Sequence, residues 1–340
     1  MAALSDFPHA IRYFGPIGFL KTLWCEIQED ELFTAASALA YSWLFAVFPF
    51  ILFLITLIPL LPHETKTEFR KELVTQVYTL PKDAADMIWI NVSPRLDEVL
   101  KQQVTALPLI GLLITLWAAS GGVSSTMSAI DKCYDVQKPR PIYKQRPLAV
   151  GLTCIVVTLV LLVVLLIPIG SIATRIAVEW FGDWVKKYLA VFYVFEIVRY
   201  VVGAMLMFAV LAVLYHFGPN LHRRKFRFIT PGSLFVVLMW VATGYGFKVY
   251  IDEFGKYNQT YGTVGGVAIL LLLFYIDALL LLIGAEINAG VDQAIVGKPV
   301  GVAEAEVDGI PIKPETQAKL DVGAIEHPEL KEPAKRPENF

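Results

Sequence analysis

The chain has 340 residues, of which 56% are hydrophobic and 18% charged, whereas an ordinary soluble domain carries about a quarter charged residues. That deficit, a mean hydropathy of +0.58 and several long charge-free runs exclude the soluble globular class and point to the membrane. A net charge of −2 gives no global attraction for nucleic acid.

The N-terminal segment, residues 1–32, carries Gly15-Pro16, which predicts a helix start. Ile17, Leu20, Trp24 and Ile27 follow at helical spacing, so this helix is expected to lie in the cytoplasmic membrane interface with one apolar face. The first apolar run begins near Phe33, after Glu26, Glu29, Asp30 and Glu31. It has no basic leader, so it reads as a retained span and not a cleavable signal.

Crossing the hydrocarbon takes about 20 apolar residues in a helix. Long apolar runs predict six spans, near 33–61, 104–129, 148–170, 189–216, 229–251 and 262–289; the first three are charge-free, and the last three contain Glu196 and Arg199, Lys248, and Asp277 and Glu286. The expected fold is therefore an all-α polytopic bundle over residues 33–290. The 62–103 connection reads as an external helical cap, with amphipathic pieces around Lys66–Tyr78 and Leu96–Gln103. The 291–340 tail, rich in Pro, Glu and Lys, reads as a disordered cytoplasmic extension.

Loop charge sets the orientation. The 130–147 connection carries Lys132, Lys138, Arg140, Lys144 and Arg146, and the 217–228 connection carries Arg223, Arg224, Lys225 and Arg227. By contrast, 252–261 has only Lys256. The basic loops and both termini are expected in the cytoplasm.

Ionisable groups inside a span are costly and mark function by default. Asp277 sits near mid-depth of the sixth span, and Gly266, Gly284 and Asn288 share its helical face. That stripe is expected to face the bundle interior. Asp277 is then either an ion or proton site or a carboxyl bonded to a neighbouring helix. Glu286, half a turn out of phase, lies near the cytoplasmic end and is expected to reach the interface as an anchor, with a site role as the alternative. Glu196 and Arg199 are spaced for an ion pair on the fourth span; Gly203 continues their face and Lys248 approaches the same level. These four read as a structural pair with its surroundings or as an outer gate.

Ala35, Ala38, Ser42, Ala46 and Pro49 form a close-packing stripe, kinked at Pro49. Ser120, Gly121, Gly122, Ser124 and Ser125 make the inner end of the second span polar. With Ser42 and Asp277 they are candidates to line a cavity open to the cytoplasm. The chain contains no HExxH, nucleophile elbow or P-loop, and its five histidines are dispersed. No catalytic residue, metal or cofactor is expected. Cys25, Cys133 and Cys154 lack any paired spacing and read as reduced and structural.

A block from Pro231-Gly232 to Ala289 resembles the YihY/BrkB family, once labelled ribonuclease BN. The block includes Phe247, Tyr250, Phe254, Tyr257-Asn258, Tyr261-Gly262, Gly265 and Gly284-Ala285-Glu286-Ile287-Asn288-Ala289. Ala38-Leu39-Ala40-Tyr41, Phe48-Pro49, Tyr134, Arg140, Arg146, Tyr215 and Pro219-Asn220 extend the resemblance over roughly 15–295. Asp277 and Asp131 depart from it, standing where a small neutral residue and an asparagine are expected. The resemblance implies a six-helix bacterial inner-membrane protein whose activity is poorly defined; some members are linked to serum resistance or cation tolerance.

The sequence thus points to a permease for an ion or small solute. The alternative is a non-transporting factor acting on lipid or envelope partners, with a nuclease far behind. The expected partners are the bilayer and anionic lipid headgroups, with no nucleic acid. Homo-oligomerisation through the small-residue stripes stays open.

Overall fold

Glycine and proline punctuate the start of the chain. Helix α1 (Phe7–Phe14) ends on Gly15, whose φ of 73° suits a residue without a Cβ, and Pro16 opens α2 (Pro16–Glu29) at a position that needs no N–H donor. A computed structural model describes residues 3–57, 70–71, 74–75, 89–90, 93–94, 106–181, 189–221, 225–254, 258–314 and 316–317. The remaining helices are α3 (Leu32–Leu57), α4 (Ala106–Cys133), α5 (Ile142–Phe181), α6 (Leu189–Phe217), α7 (Pro231–Phe254), α8 (Asn258–Val296) and α9 (Val300–Val307). Among the described residues there is no strand.

Among the described residues, five helices contain windows long and apolar enough to cross a membrane: Leu32–Ile51, Leu113–Cys133, Ile142–Leu162, Ile197–Phe217 and Gly266–Val296. Pro231–Phe247 is apolar but shorter. This is the all-α polytopic architecture read from the long apolar runs. Pro49 lies inside α3, which continues to Leu57. The external cap expected over 62–103 lies almost wholly outside the described residues.

The long helices form a ring. α3 packs on α4, α4 on α5, α5 on α6, α6 on α7, α7 on α8, and α8 closes back on α3. The core converges on one end of it: Ala36 and Leu39 from α3, Ile130 and Cys133 from α4, Leu211 and Tyr215 from α6, Val236 from α7, Leu281 and Ala285 from α8. Helices α1 and α2 close that same end against α8, where Ala10 and Phe19 meet Ile287, Val291 and Ala294.

Helix α2 is apolar on two sides. Ile17, Leu20 and Trp24 are 82%, 65% and 53% exposed, whereas Ile27 is 6% exposed. The expectation of one interfacial face holding all four needs correction. At 100° per residue Ile27 lies only about 20° from Leu20, so helical phase does not separate them; Ile27 is buried because the end of α2, with Leu23 and Phe19, packs on the bundle.

The tail also differs from expectation. Helix α8 runs through to Val296 and stops on Gly297 at φ 82°, whose N–H reaches Gln293 O at 2.7 Å. Helix α9 then buries Val300, Val302 and Ala305. A composition dominated by Pro, Glu and Lys masked this short apolar stretch. The disorder expected from residue 291 is therefore wrong for 291–314, and 318–340 lie outside the described residues.

Candidate functional site

Helices α7 and α8 cross at Gly232 and Gly284. A Cβ on Gly232 would overlap the Gly284 carbonyl oxygen; one on Gly284 would overlap the Tyr215 hydroxyl and Val236. The Tyr215 hydroxyl donates to Leu281 O at 2.8 Å. Asn288, fully buried, accepts the Gly232 N–H on Oδ1 at 2.8 Å, which satisfies a donor left over in the first turn of α7. Thr230 and Ser233 complete that helix start by exchanging backbone-to-hydroxyl bonds of 2.9 and 3.1 Å.

The connections at this end are latched together. Arg140 donates to Gly218 O at 2.6 Å and Pro219 O at 2.8 Å. Burial pulls its pKa down, while the nearby Asp131 charge holds it up. Asp131 accepts the Asn220 N–H at 2.6 Å, and Asn220 Nδ2 donates to Lys138 O at 2.8 Å. Gly301 of α9 donates to Tyr134 O at 3.2 Å, and Lys313 binds Gln137 Oε1 and Val136 O. Helices α1, α2 and α9 thus gather with residues 134–141 and 218–221 at one end of the ring.

Under this cap lies a small cavity of about 20 Å³, room for one water-sized occupant. Glu286, Cys133, Glu26, Asp135, Gln293 and Phe19 are among its walls. Glu286 is 4% exposed, and its Oε1 has no hydrogen-bond partner among the described residues. The Cys133 thiol, which donates to Ala129 O and Leu282 O, lines the same cavity, and Asp30, Glu26 and Asp135 add negative charge around the carboxyl. Asp135 also lines an open groove of about 620 Å³, with Glu29, Asp30, Glu31 and Asp131 against Lys132 and Lys313.

The sequence candidates separate. Gly284 and Asn288 sit at the helix crossing, and Asp277 is partly buried without a hydrogen bond among the described residues. Gly266 is exposed with nothing within 4 Å of a built Cβ, so the expected inward stripe breaks. Helical phase keeps these residues on one face, but what lies opposite changes along 39 residues. Glu286 does not reach the interface as expected, because α2 and α9 cover the end of α8.

Ser42 and the inner end of α4 form a closed seam, not the cavity lining expected. Ser42 Oγ meets Ser125 Oγ at 2.7 Å, Trp43 Nε1 donates to Thr126 Oγ1 at 3.0 Å, and a Cβ on Gly122 would lie 3.0 Å from the Ala46 Cβ. Ser120 is fully buried and donates within its own helix to Trp117 O at 2.6 Å. Arg199 lies over the Tyr200 ring at 5.3 Å, and Gly203 is half-buried. The side chains of Glu196 and Lys248 lie outside the described residues. Cys25, Cys133 and Cys154 are free thiols.

Sequence reasoning missed Glu26, Asp135 and Cys133 as neighbours of Glu286. The available signal was Glu26, an acid flanked by the inward residues Leu23 and Ile27.

A ring of apolar helices with polar groups concentrated under a latched cap defines a polytopic α-helical membrane protein. Residues 23–308 match the family described as Virulence factor BrkB, and the chain belongs to that family. It is similar to the putative ribonuclease-like protein YfkH of Bacillus subtilis, with 29% identity over 273 residues covering 80% of this chain and 94% of that protein. It is also similar to a UPF0761 membrane protein of Stenotrophomonas maltophilia (strain R551-3), with 25% identity over 80% of this chain and 60% of that protein. A UPF0761 membrane protein of Alteromonas mediterranea is 24% identical over 82% of this chain and 90% of its own length. No solved structure matches the chain.

Proposed function

We propose that the chain is a permease for an ion or small solute, in a bacterial plasma membrane with its latched end in the cytoplasm. The observation that carries this reading is Asp277. It lies in the middle third of the apolar window Gly266–Val296, partly buried, with no hydrogen bond among the described residues. A carboxyl at that depth is costly and marks function by default. The orientation rests on the basic residues of the latched connections, which the positive-inside bias assigns to the cytoplasm. We read the chain as non-enzymatic. The ribonuclease-like name of one relative finds no counterpart in a metal-holding group: among the described residues no three His, Cys, Asp or Glu side chains are arranged to bind an ion.

The test is solute flux into liposomes carrying the wild type, Asp277→Asn or Arg199→Gln. Flux that falls in the Asp277 variant supports the reading. Absence of flux by the wild type across a broad panel of ions and small solutes rejects it.

A second reading, an envelope factor that acts on lipid, is favoured by the outward apolar stripe of Ile17, Leu20 and Trp24 on α2. Such a stripe suits burial at the headgroup level, with anionic lipid drawn to the basic connections. Dependence of folding stability on anionic lipid, without flux, favours this alternative.

A further inference from the structure

We infer that the cavity beneath α2 and α9 is a binding site for a small monovalent cation, held by the Glu286 carboxylate. Glu286 is 4% exposed and lines the cavity with an oxygen that makes no hydrogen bond among the described residues. A buried carboxylate without compensation is destabilising by several kcal/mol, so it needs an occupant that supplies positive charge or a proton. The surroundings draw positive charge to this oxygen. Glu26 and Asp135 share the cavity wall, and Asp30 adds its negative charge from the C-terminal cap of α2.

Size and donor set choose the class of cation. The cavity, about 20 Å³, holds one water-sized occupant. Calcium takes 6–8 oxygens and magnesium demands a near-octahedral shell, roughly as general coordination rules state. No group of three acidic or soft ligands is arranged for either among the described residues. Of the three carboxylates on the wall only Glu286 is nine-tenths buried, and with a neutral oxygen such as that of Gln293 it matches a single positive charge. Asp135 supplies continuity with water, because it lines both this cavity and the open acidic groove with Glu31 and Asp131. A cation drawn to the groove therefore meets Asp135 on its way to Glu286. This site is separate from Asp277, and its occupancy does not depend on whether the chain transports anything.

The experiment is thermal unfolding of the full chain in neutral-lipid nanodiscs. Sodium chloride and potassium chloride are titrated against N-methyl-glucamine chloride at constant ionic strength, so no flux is involved. The expected result is a saturable rise in Tm with at least one alkali cation. The rise should be absent in Glu286→Gln and displaced about tenfold to higher concentration in Asp135→Asn, the loss expected for about 1.4 kcal/mol of attraction. A wild type with the same Tm in all three salts overturns the site. So does a Glu286→Gln variant that keeps the full response. If that variant does not fold, an unchanged midpoint in Asp135→Asn overturns it, and a displaced one supports it. A larger stabilisation by micromolar calcium than by either alkali cation rejects the monovalent assignment.

Discussion

Asn288 on α8 caps α7 through space: its Oδ1 receives the Gly232 N–H at 2.8 Å across 56 residues of sequence. Replacing Asn288 with alanine leaves that buried N–H without a partner. A loss of about 1–3 kcal/mol is expected, read as a lower Tm in detergent or nanodiscs. Asn288→Ala should be worse than an alanine at exposed Leu238 on the same helix pair.

Gly232 and Gly284 leave no room for a methyl group, since each Cβ would overlap backbone of the other helix or Tyr215. Gly232→Ala and Gly284→Ala should each destabilise by roughly 1–3 kcal/mol or more. The Gly232 variant should also free the first turn of α7, seen as faster amide exchange at 232–234. Gly244, which meets nothing within 4 Å, is the control.

Arg140 bonds two adjacent carbonyls with two nitrogens, a fork that lysine lacks. Arg140→Lys keeps the charge but should lose about 1–2 kcal/mol and loosen both connections. Limited proteolysis around 218–230 is the readout, and cleavage no faster than in the wild type counts against the latch.

Ser42 and Ser125 satisfy each other within the α3–α4 seam. Hydroxyl pairs between membrane helices average about 0.6 kcal/mol by double-mutant cycle. The double variant Ser42→Ala with Ser125→Ala should therefore be nearly as stable as either single one. A strongly additive loss would assign the two hydroxyls to separate roles.

The spans were legible because hydrocarbon imposes one rule, about 20 predominantly apolar residues, that operates locally. Gly232 and Gly284 stood within the motif block, but only the fold shows that they touch. The site near Glu286 was half legible. Its carboxylate was visible in the sequence, yet its surroundings come from α2, the end of α4 and the start of α9, which no spacing brings together. The interface role read for Glu286 assumed that the end of a span meets headgroups. Here α2 and α9 stand in the way. Gly266 failed for the opposite reason: a face continuous along α8 is not continuously covered. The order of Val300–Val307 was hidden because a window rich in Pro and Glu averages away one short apolar helix.

Ring closure also sets a constraint on how the protein is made. Helix α8 wedges between α3 and α7, and it is the last long helix to leave the ribosome. Until it arrives, the α3 seam has one partner, Gly232 keeps its N–H open, and Tyr215 has no carbonyl to bond. Translation that stops before Asn258 leaves a five-helix crescent in which these groups lack the partners that α8 supplies. Completion of α8 converts that crescent into a closed body in one step.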